Sequence, residues 1–155
     1  MEPRALLVRL AHLSAPVRAS LPVVVMAILW WLSAMPGEPA RGTLWRGFWH
    51  NASHVPAYAA LGGAWSLALV RRDRNAPAWV AVLLSVAYGI ADEIHQSFVP
   101  HRVFSFADLV SDSLGAALGA VLCASWLGAS SARAPALPWI ALAALASVLA
   151  ATFGW

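Results

Sequence analysis

Residues 91–102, ADEIHQSFVPHR, place ionisable and amide side chains inside an otherwise apolar stretch of the sequence. Asp92 and Glu93 are adjacent carboxylates, which could act as general acid and base on a bound substrate. Arg102 carries a planar guanidinium, which binds a phosphate or a carboxylate through two parallel hydrogen bonds. A histidine in the same segment could transfer protons, and a glutamine could donate or accept hydrogen bonds. The segment therefore predicts a site for a polar or anionic ligand.

The spacing of the polar residues predicts that they lie on two helices that face each other. Before the turn VPHRV at 99–103 they recur at intervals of three and four, which places them on one helix face. This first stripe comprises Ser85, Tyr88, Asp92, His95 and Gln96. The second stripe, after the turn, comprises Ser105, Asp108, Asp112, Gly115 and Gly119. Glu93 lies about 100° around the helix from Asp92, within reach of the same cleft. Because the turn is short, the two helices must pack as an antiparallel hairpin.

The composition indicates that these polar groups belong to a membrane protein. The 155 residues are 61% hydrophobic and 11% charged, with a mean hydropathy of +0.69. Soluble domains carry about 25% charged residues. The net charge of +3 comes from arginines scattered between apolar blocks, so no basic face for nucleic acid is expected. The single cysteine, Cys123, excludes an internal disulfide. We therefore expect a lipid bilayer around the protein and no nucleic-acid partner.

These properties predict an all-α integral membrane protein built as a compact bundle. A helix needs about 20 mainly apolar residues to cross the hydrocarbon core. Five uncharged or nearly uncharged intervals meet this length, at 19–37, 47–70, about 76–99, about 104–127 and 134–155. Five transmembrane helices are therefore predicted. Four is the alternative, because no charge follows the last interval to anchor it. Residues 1–155 are expected to form a single transmembrane domain.

The positions of the arginines predict a cytoplasmic N-terminus. In that orientation seven arginines lie inside and three outside, which agrees with the positive-inside rule. The inside residues are Arg4, Arg9, Arg18, Arg71, Arg72, Arg74 and Arg133, and the outside residues are Arg41, Arg46 and Arg102. The second predicted span then begins outside near His54, and the hairpin turn also lies outside. Polar groups from three spans are therefore expected to meet at the extracytoplasmic surface.

Ionised groups at this depth require partners. An Asp or Arg at the centre of a membrane helix costs about 2.5–3.5 kcal/mol on the insertion scale. We therefore expect Arg102 to form an ion pair with a nearby acid, and the remaining acids to face water or a ligand. The candidate acids are Asp92, Glu93 and Asp108. A structural alternative is that one such pair locks two helices, which the glycines of the second stripe allow to approach closely.

The segment DEIHQSFVPHRVFSFADLVSDSLGAALG resembles the signature of the VanZ-like family, in which Asp-Glu-x-x-Gln precedes Pro-x-Arg and Ser-x-x-Asp. The matching residues are Asp92, Glu93, Gln96, Pro100, Arg102, Ser105, Asp108 and Gly115. Upstream, HVPAYAALG resembles the family's His-x-x-x-Tyr segment through His54 and Tyr58. The resemblance covers about residues 50–120.

Three positions depart from the family pattern. His101 stands where glycine is usual, Asp112 where asparagine is usual, and Asn51 where a basic residue is common. The resemblance implies a small multi-pass protein of the bacterial cytoplasmic membrane. The family's namesake is associated with low-level resistance to the glycopeptide antibiotic teicoplanin, so a link to resistance is implied as well.

Three functions fit the residues. The preferred interpretation is that the site binds or handles a cell-envelope ligand, a lipid or a glycan, with Arg102 as its anchor. The further candidates for ligand binding are Gln96, Ser105, Asp108, Asp112, Tyr58 and His95. The second is a membrane-embedded enzyme in which Glu93 or Asp92 is the acid or base and His54 shuttles protons. In the third, the polar cluster only locks the helices.

No cofactor is expected, and no metal site is predicted. The conceivable metal ligands are His54, His95, Glu93 and Asp108. However, DEIHQ lacks the two-histidine helical spacing of the HExxH motif.

Overall fold

The computed structural model of the chain describes residues 2–37, 44–70, 78–127 and 136–153, and the regular structure in these ranges is helical. The helices are α1 Pro3–Ala11, α2 Ala15–Ser33, α3 Leu44–Ala68, α4 Ala78–Gln96, α5 Phe106–Trp126 and α6 Leu137–Phe153. Each of the five predicted spans coincides with one helix, from α2 to α6, to within a few residues. The predicted all-α class is therefore confirmed. The short helix α1 was not predicted.

Within the described ranges three helices are long and apolar enough to cross a bilayer, namely α2, α4 and α5. The 25 residues of α3 give it sufficient length, but its first half contains Arg46, His50, Asn51 and His54. The helix α6 is apolar and has 17 residues, which corresponds to about 26 Å. Large apolar side chains cover the outside of the bundle, with Trp31 at 64% exposed and Leu83 at 57%. Such a surface is consistent with a lipid bilayer around the protein.

The helix ends follow local sequence signals. Proline occupies the first turn of α1 and of α2, where its missing N–H costs no helical hydrogen bond. The side chain of Ser105 caps α5 by accepting a hydrogen bond from the Asp108 N–H at 3.1 Å. This cap fixes the first turn of α5 beside the end of α4.

The closest helix contact joins α3 and α5 through small residues. A side chain at Gly115 would meet the backbone of Val55, and one at Gly119 would meet the backbone of Ala59. On the facing helix, a side chain at Gly62 would meet the backbone of Ala116. The structural alternative placed close approach through the glycines within the hairpin of α4 and α5. In the structure the glycines face α3 instead, and they draw α3 against the centre of the bundle.

The helices alternate in direction, so that five helix ends meet at one end of the bundle. Ser33 near the end of α2 bonds Asp92 near the end of α4. Asn51 near the start of α3 donates to Thr152 near the end of α6 at 3.2 Å. At the other end of the bundle, Arg18 donates to the carbonyl oxygen of Val70 at 2.7 Å. The first turns of α3 and α5 therefore lie level with the last turns of α2, α4 and α6.

Several arginines that carry the orientation prediction lie outside the described residues. They are Arg41, Arg71, Arg72, Arg74 and Arg133.

Candidate functional site

A chain of hydrogen bonds joins α2, α4 and the turn that follows α4. The Ser33 hydroxyl donates to Asp92 Oδ2 at 2.7 Å, and Gln96 Nε2 donates to the same oxygen at 3.1 Å. The other end of the Gln96 amide, Oε1, accepts from Arg102 Nη1 at 3.1 Å. Arg102 Nε also donates to the carbonyl oxygen of Met35 at 3.2 Å. The amide of Gln96 thus bonds the carboxylate of Asp92 with one end and the guanidinium of Arg102 with the other, so the two charged groups do not meet directly.

Glu93 points away from this chain and toward the start of α5. Its Oε2 accepts from the backbone N–H of Ser105 at 2.7 Å, and the side chain is buried, with 1% exposed. A carboxylate at a helix N-terminus is stabilised by the unpaired N–H groups there. Its second oxygen, Oε1, is buried without a hydrogen-bond partner among the described residues. Glu93 therefore ties the end of α4 to the cap of α5.

A third group of polar side chains joins α3 to α5. His54 Nδ1 lies 2.9 Å from Asp112 Oδ1, and the Asp112 side chain is 2% exposed. The ring of His50, one turn earlier on α3, lies edge-on to that of His54 with centroids 5.4 Å apart. Potential ligand atoms of His50, His54 and Asp108 all lie within 4.8 Å of one another. Imidazole and carboxylate groups from two helices therefore form a compact cluster.

At least one residue of each of these three groups lines a cleft of about 670 Å³ at the end of the bundle. Its polar lining comprises Arg46, His50, Asn51, Gln96, His101, Arg102, Ser105 and Asp108. Pro36, Gly37, Gly47, Val103, Ala107 and Ala151 complete it. The volume is within the range of small-molecule sites, about 300–1,000 Å³. The cleft combines two guanidinium groups with hydrogen-bonding groups of both kinds.

A sequence model of the VanZ/LLP1 family matches residues 20–127, which is more than half of the chain. The chain belongs to the VanZ/LLP1 family. The match begins in α2, so it extends further than the resemblance over about residues 50–120. Neither a search of curated proteins nor a search of solved structures found a match.

The signature residues of this VanZ/LLP1 protein divide between the cleft and its supports. Gln96, Arg102, Ser105 and Asp108 line the cleft directly. Two signature acids behind them hold the lining in place, since Asp92 bonds Gln96 and Glu93 bonds Ser105. The family motif therefore specifies both the wall of the cleft and the contacts that orient it.

Three of the predicted ligand-binding residues do not line the cleft, namely Asp112, Tyr58 and His95. Asp112 is 1% exposed and bonds His54 behind the lining. Tyr58 is buried in the apolar core with Leu29 and Leu61, at 2% exposed. His95 stacks on Trp30 of α2, with ring centroids 3.9 Å apart and planes within 15°. The polar residues of the first stripe spread over a wide arc of α4, and within that arc His95 faces α2 instead of the cleft. This position also separates His95 from the histidines of α3.

The expected ion pair of Arg102 is replaced by a hydrogen bond to a neutral group. Within the described ranges Arg102 makes no ion pair with Asp92, Glu93 or Asp108, and Gln96 receives its Nη1 donor. Arg102 follows the turn, so its guanidinium lies closer to Gln96, the last residue of α4, than to the acids. The guanidinium charge thereby stays on the wall of the cleft.

His101, one of the three departures from the family pattern, occupies a backbone position suited to glycine. His101 has a φ of 62°, in the left-handed region that residues with a Cβ rarely adopt. The usual glycine of the family fits this requirement, and histidine here adopts the same turn. The turn is held from α2 by the Gly37 N–H, which donates to the Pro100 carbonyl oxygen at 3.0 Å. A Cβ on Gly37 would meet the backbone of His101, so the close contact needs glycine.

Sequence reasoning missed three members of the site. Ser33 gave no signal, because a serine at the end of an apolar span is common. Arg46 was counted only as a topology marker, yet it lines the cleft. His50 did carry a signal, because it precedes His54 by four residues and so shares its helix face.

Proposed function

We propose that the cleft binds the polar head group of an amphiphile of the bacterial cell envelope, a lipid or a lipid-linked glycan. The observation that carries this proposal is the guanidinium of Arg102, which lines the cleft and is held by Gln96 and the Met35 carbonyl. Both partners are neutral, so the positive charge remains available to an anion. A planar guanidinium suits phosphate and carboxylate groups.

The remaining lining supports a head group that carries both charge and hydroxyl groups. Asn51 offers an amide, Ser105 a hydroxyl and Asp108 a carboxylate. Carboxylates accept hydrogen bonds from sugar hydroxyls, and a second guanidinium from Arg46 favours an anion. A phosphorylated or glycosylated head group satisfies both chemistries.

The surroundings of the cleft favour an amphiphile over a free solute. Phe98, Val103 and Phe106 lie in or beside the turn after α4 and are 81%, 79% and 76% exposed. Trp45, in the first turn of α3, is 66% exposed at the same end. Aromatic residues are enriched at membrane–water interfaces. A ligand in the cleft would therefore have lipid beside its head group, where acyl or polyprenyl chains can lie.

The family's association with teicoplanin suggests one role for such binding. Teicoplanin carries a lipid anchor together with charged and sugar groups, so it belongs to the proposed class of amphiphile. A protein that binds such head groups at the membrane surface would alter the access of the antibiotic to its target. This role is proposed for the chain on the basis of the family alone.

The geometry supports binding better than catalysis by Glu93 or Asp92. Both acids are buried behind the lining, with 1% and 3% exposed, and each already accepts a hydrogen bond from the protein. A general acid or base must reach the substrate within hydrogen-bond distance. A purely structural role leaves unexplained why a guanidinium lines an open cleft without an anionic partner among the described residues.

Mass spectrometry of co-purifying lipids tests the proposal. We expect the wild-type protein, extracted in mild detergent, to retain a phosphate- or glycan-bearing lipid, and Arg102→Ala to retain at least about tenfold less. Arg102→Lys should show an intermediate loss, because lysine keeps the positive charge but lacks the planar pair of donors with which a guanidinium binds a phosphate or carboxylate. Arg4→Ala, which removes an exposed arginine from α1, is the matched control. Identical lipid profiles for wild type and Arg102→Ala, with both proteins folded, would overturn the proposal.

We further propose that the cleft faces the extracytoplasmic side of the cytoplasmic membrane. Cysteine labelling tests this orientation in a Cys123→Ala background, because Cys123 is the only cysteine. Ser97→Cys, at the cleft end, should react with a membrane-impermeant maleimide on intact cells. Ser14→Cys, at the opposite end, should react only after permeabilisation. The reverse pattern would place the cleft on the cytoplasmic side.

A further inference from the structure

Two histidines of α3 and one acid of α5 meet at the wall of the cleft. His50 and His54 are four residues apart on one helix, so their side chains lie on the same face, one turn apart. Asp108 reaches them from the first turn of α5. One potential ligand atom from each residue lies within 4.8 Å of the other two. Around a bound zinc ion, ligand atoms lie about 3.3 Å apart, so small side-chain rotations would close the set.

The buried acid Asp112 orients His54 for such a role. Its Oδ1 lies 2.9 Å from His54 Nδ1, which leaves Nε2 as the ring nitrogen available to an ion. Metal-ligating histidines almost always donate their other ring nitrogen to a carboxylate, a carbonyl or water. Asp112 is 1% exposed, so its carboxylate has no access to bulk water. The contact explains why a family position that usually holds asparagine can hold aspartate, since both offer an oxygen to the histidine.

We propose that His50, His54 and Asp108 bind a divalent transition-metal ion of the zinc type, with Asp112 as the residue that positions His54. Two imidazoles and one carboxylate suit zinc, whereas magnesium and calcium prefer oxygen ligands alone. Two carboxylates, Asp108 and Asp112, offset the charge of the ion. His50 and Asp108 line the cleft, so the fourth coordination position opens toward it. Three protein ligands with one open position are typical of zinc sites that act on bound molecules.

Zinc titration of the full-length protein in detergent, after removal of metals by a chelator, tests the site. We expect about one zinc ion per chain, and a loss of affinity of at least about 100-fold in His50→Ala, His54→Ala and Asp108→Asn. Asp112→Ala should lose about 10–100-fold, and Asp112→Asn should lose less because it keeps the oxygen. Cobalt in place of zinc should give the absorption bands of a four- or five-coordinate site, and His50→Ala should abolish them.

The matched control is His12→Ala, which removes a histidine beside α1, at the other end of the bundle. Zinc should raise the thermal unfolding midpoint of the wild type and of His12→Ala, but not that of His50→Ala. Because His50 is exposed, its alanine variant should fold normally without metal. Absence of stoichiometric zinc, or equal loss in His12→Ala and His50→Ala, would overturn the proposal. The probe is the metal alone, so this result is independent of lipid retention by Arg102.

Discussion

Gly62→Ala is expected to lower the free energy of unfolding by about 3 kcal/mol or more, and to abolish the folded state if the protein is marginally stable. A Cβ at Gly62 would overlap the backbone of Ala116 on α5. Neither helix backbone can yield locally, because both are held by their own hydrogen bonds. The added methyl group would therefore force α3 and α5 apart. The polar contacts between them, such as His54 with Asp112, would be lost at the same time.

The adjacent residue provides the control. A Cβ at Gly63 would meet its nearest atom, the carbonyl oxygen of Gly119, at 3.8 Å, which is ordinary van der Waals contact. Alanine is a better helix former than glycine by about 1 kcal/mol in a helix interior. Gly63→Ala is therefore expected to leave stability unchanged or to raise it by up to about 1 kcal/mol.

Thermal unfolding in detergent, followed by circular dichroism, measures both variants. Equal stability of Gly62→Ala and Gly63→Ala would show that α3 and α5 do not pack in the described register. Gly119→Ala should behave like Gly62→Ala, because its Cβ would meet the backbone of Ala59 from the opposite side of the same contact. The three variants together therefore test the contact from both helices.

The positions of the helices could be predicted because hydropathy and charge are read directly from the order of the residues. Uncharged intervals of membrane length predicted α2 to α6, and short connections predicted that neighbouring helices run antiparallel. The helix α1 was missed because nine residues with Arg4 and Arg9 are too short and too charged to resemble a span. The structural alternative assigned Gly115 and Gly119 to the contact between α4 and α5, whereas they face α3, because helices adjacent in sequence need not share their closest contact.

The site was only partly predictable, because side-chain direction depends on neighbours in space. Helical periodicity placed Asp92 and His95 on one stripe facing the cleft, whereas in the structure both contact α2, Asp92 through Ser33 and His95 through Trp30. The ion pair of Arg102 was expected from charge alone, whereas the turn puts Gln96 nearer to the guanidinium. The spacing of His50 and His54 was visible in the sequence. Only the fold brings Asp108 to them, and two histidines one turn apart are weak evidence without a third ligand.

Glu93→Ala is expected to lower the free energy of unfolding by about 2 kcal/mol. The Oε2 atom of the buried Glu93 is the acceptor for the Ser105 N–H at 2.7 Å, just before the start of α5. Removal of the carboxylate leaves this N–H without its partner and creates a small cavity beside it. Ser105 would then keep its cap bond with the Asp108 N–H but lose the bond that ties it to α4. Thermal unfolding in detergent measures the loss, with Glu2→Ala, an exposed glutamate of the N-terminus, as the control.

Glu93→Gln separates the support of the helix cap from catalysis. The amide oxygen of glutamine can still accept from the Ser105 N–H, so stability should stay within about 1 kcal/mol of the wild type. If Glu93 only supports the cleft, the glutamine variant should retain the same lipid, in the same amount, as the wild type. If Glu93 is an acid or base, the variant should instead retain an unprocessed lipid of different mass, because glutamine cannot exchange a proton with a substrate. A mass difference in a stably folded Glu93→Gln would therefore favour the enzyme over the binding protein, whereas identical lipids would leave Glu93 as the support of Ser105.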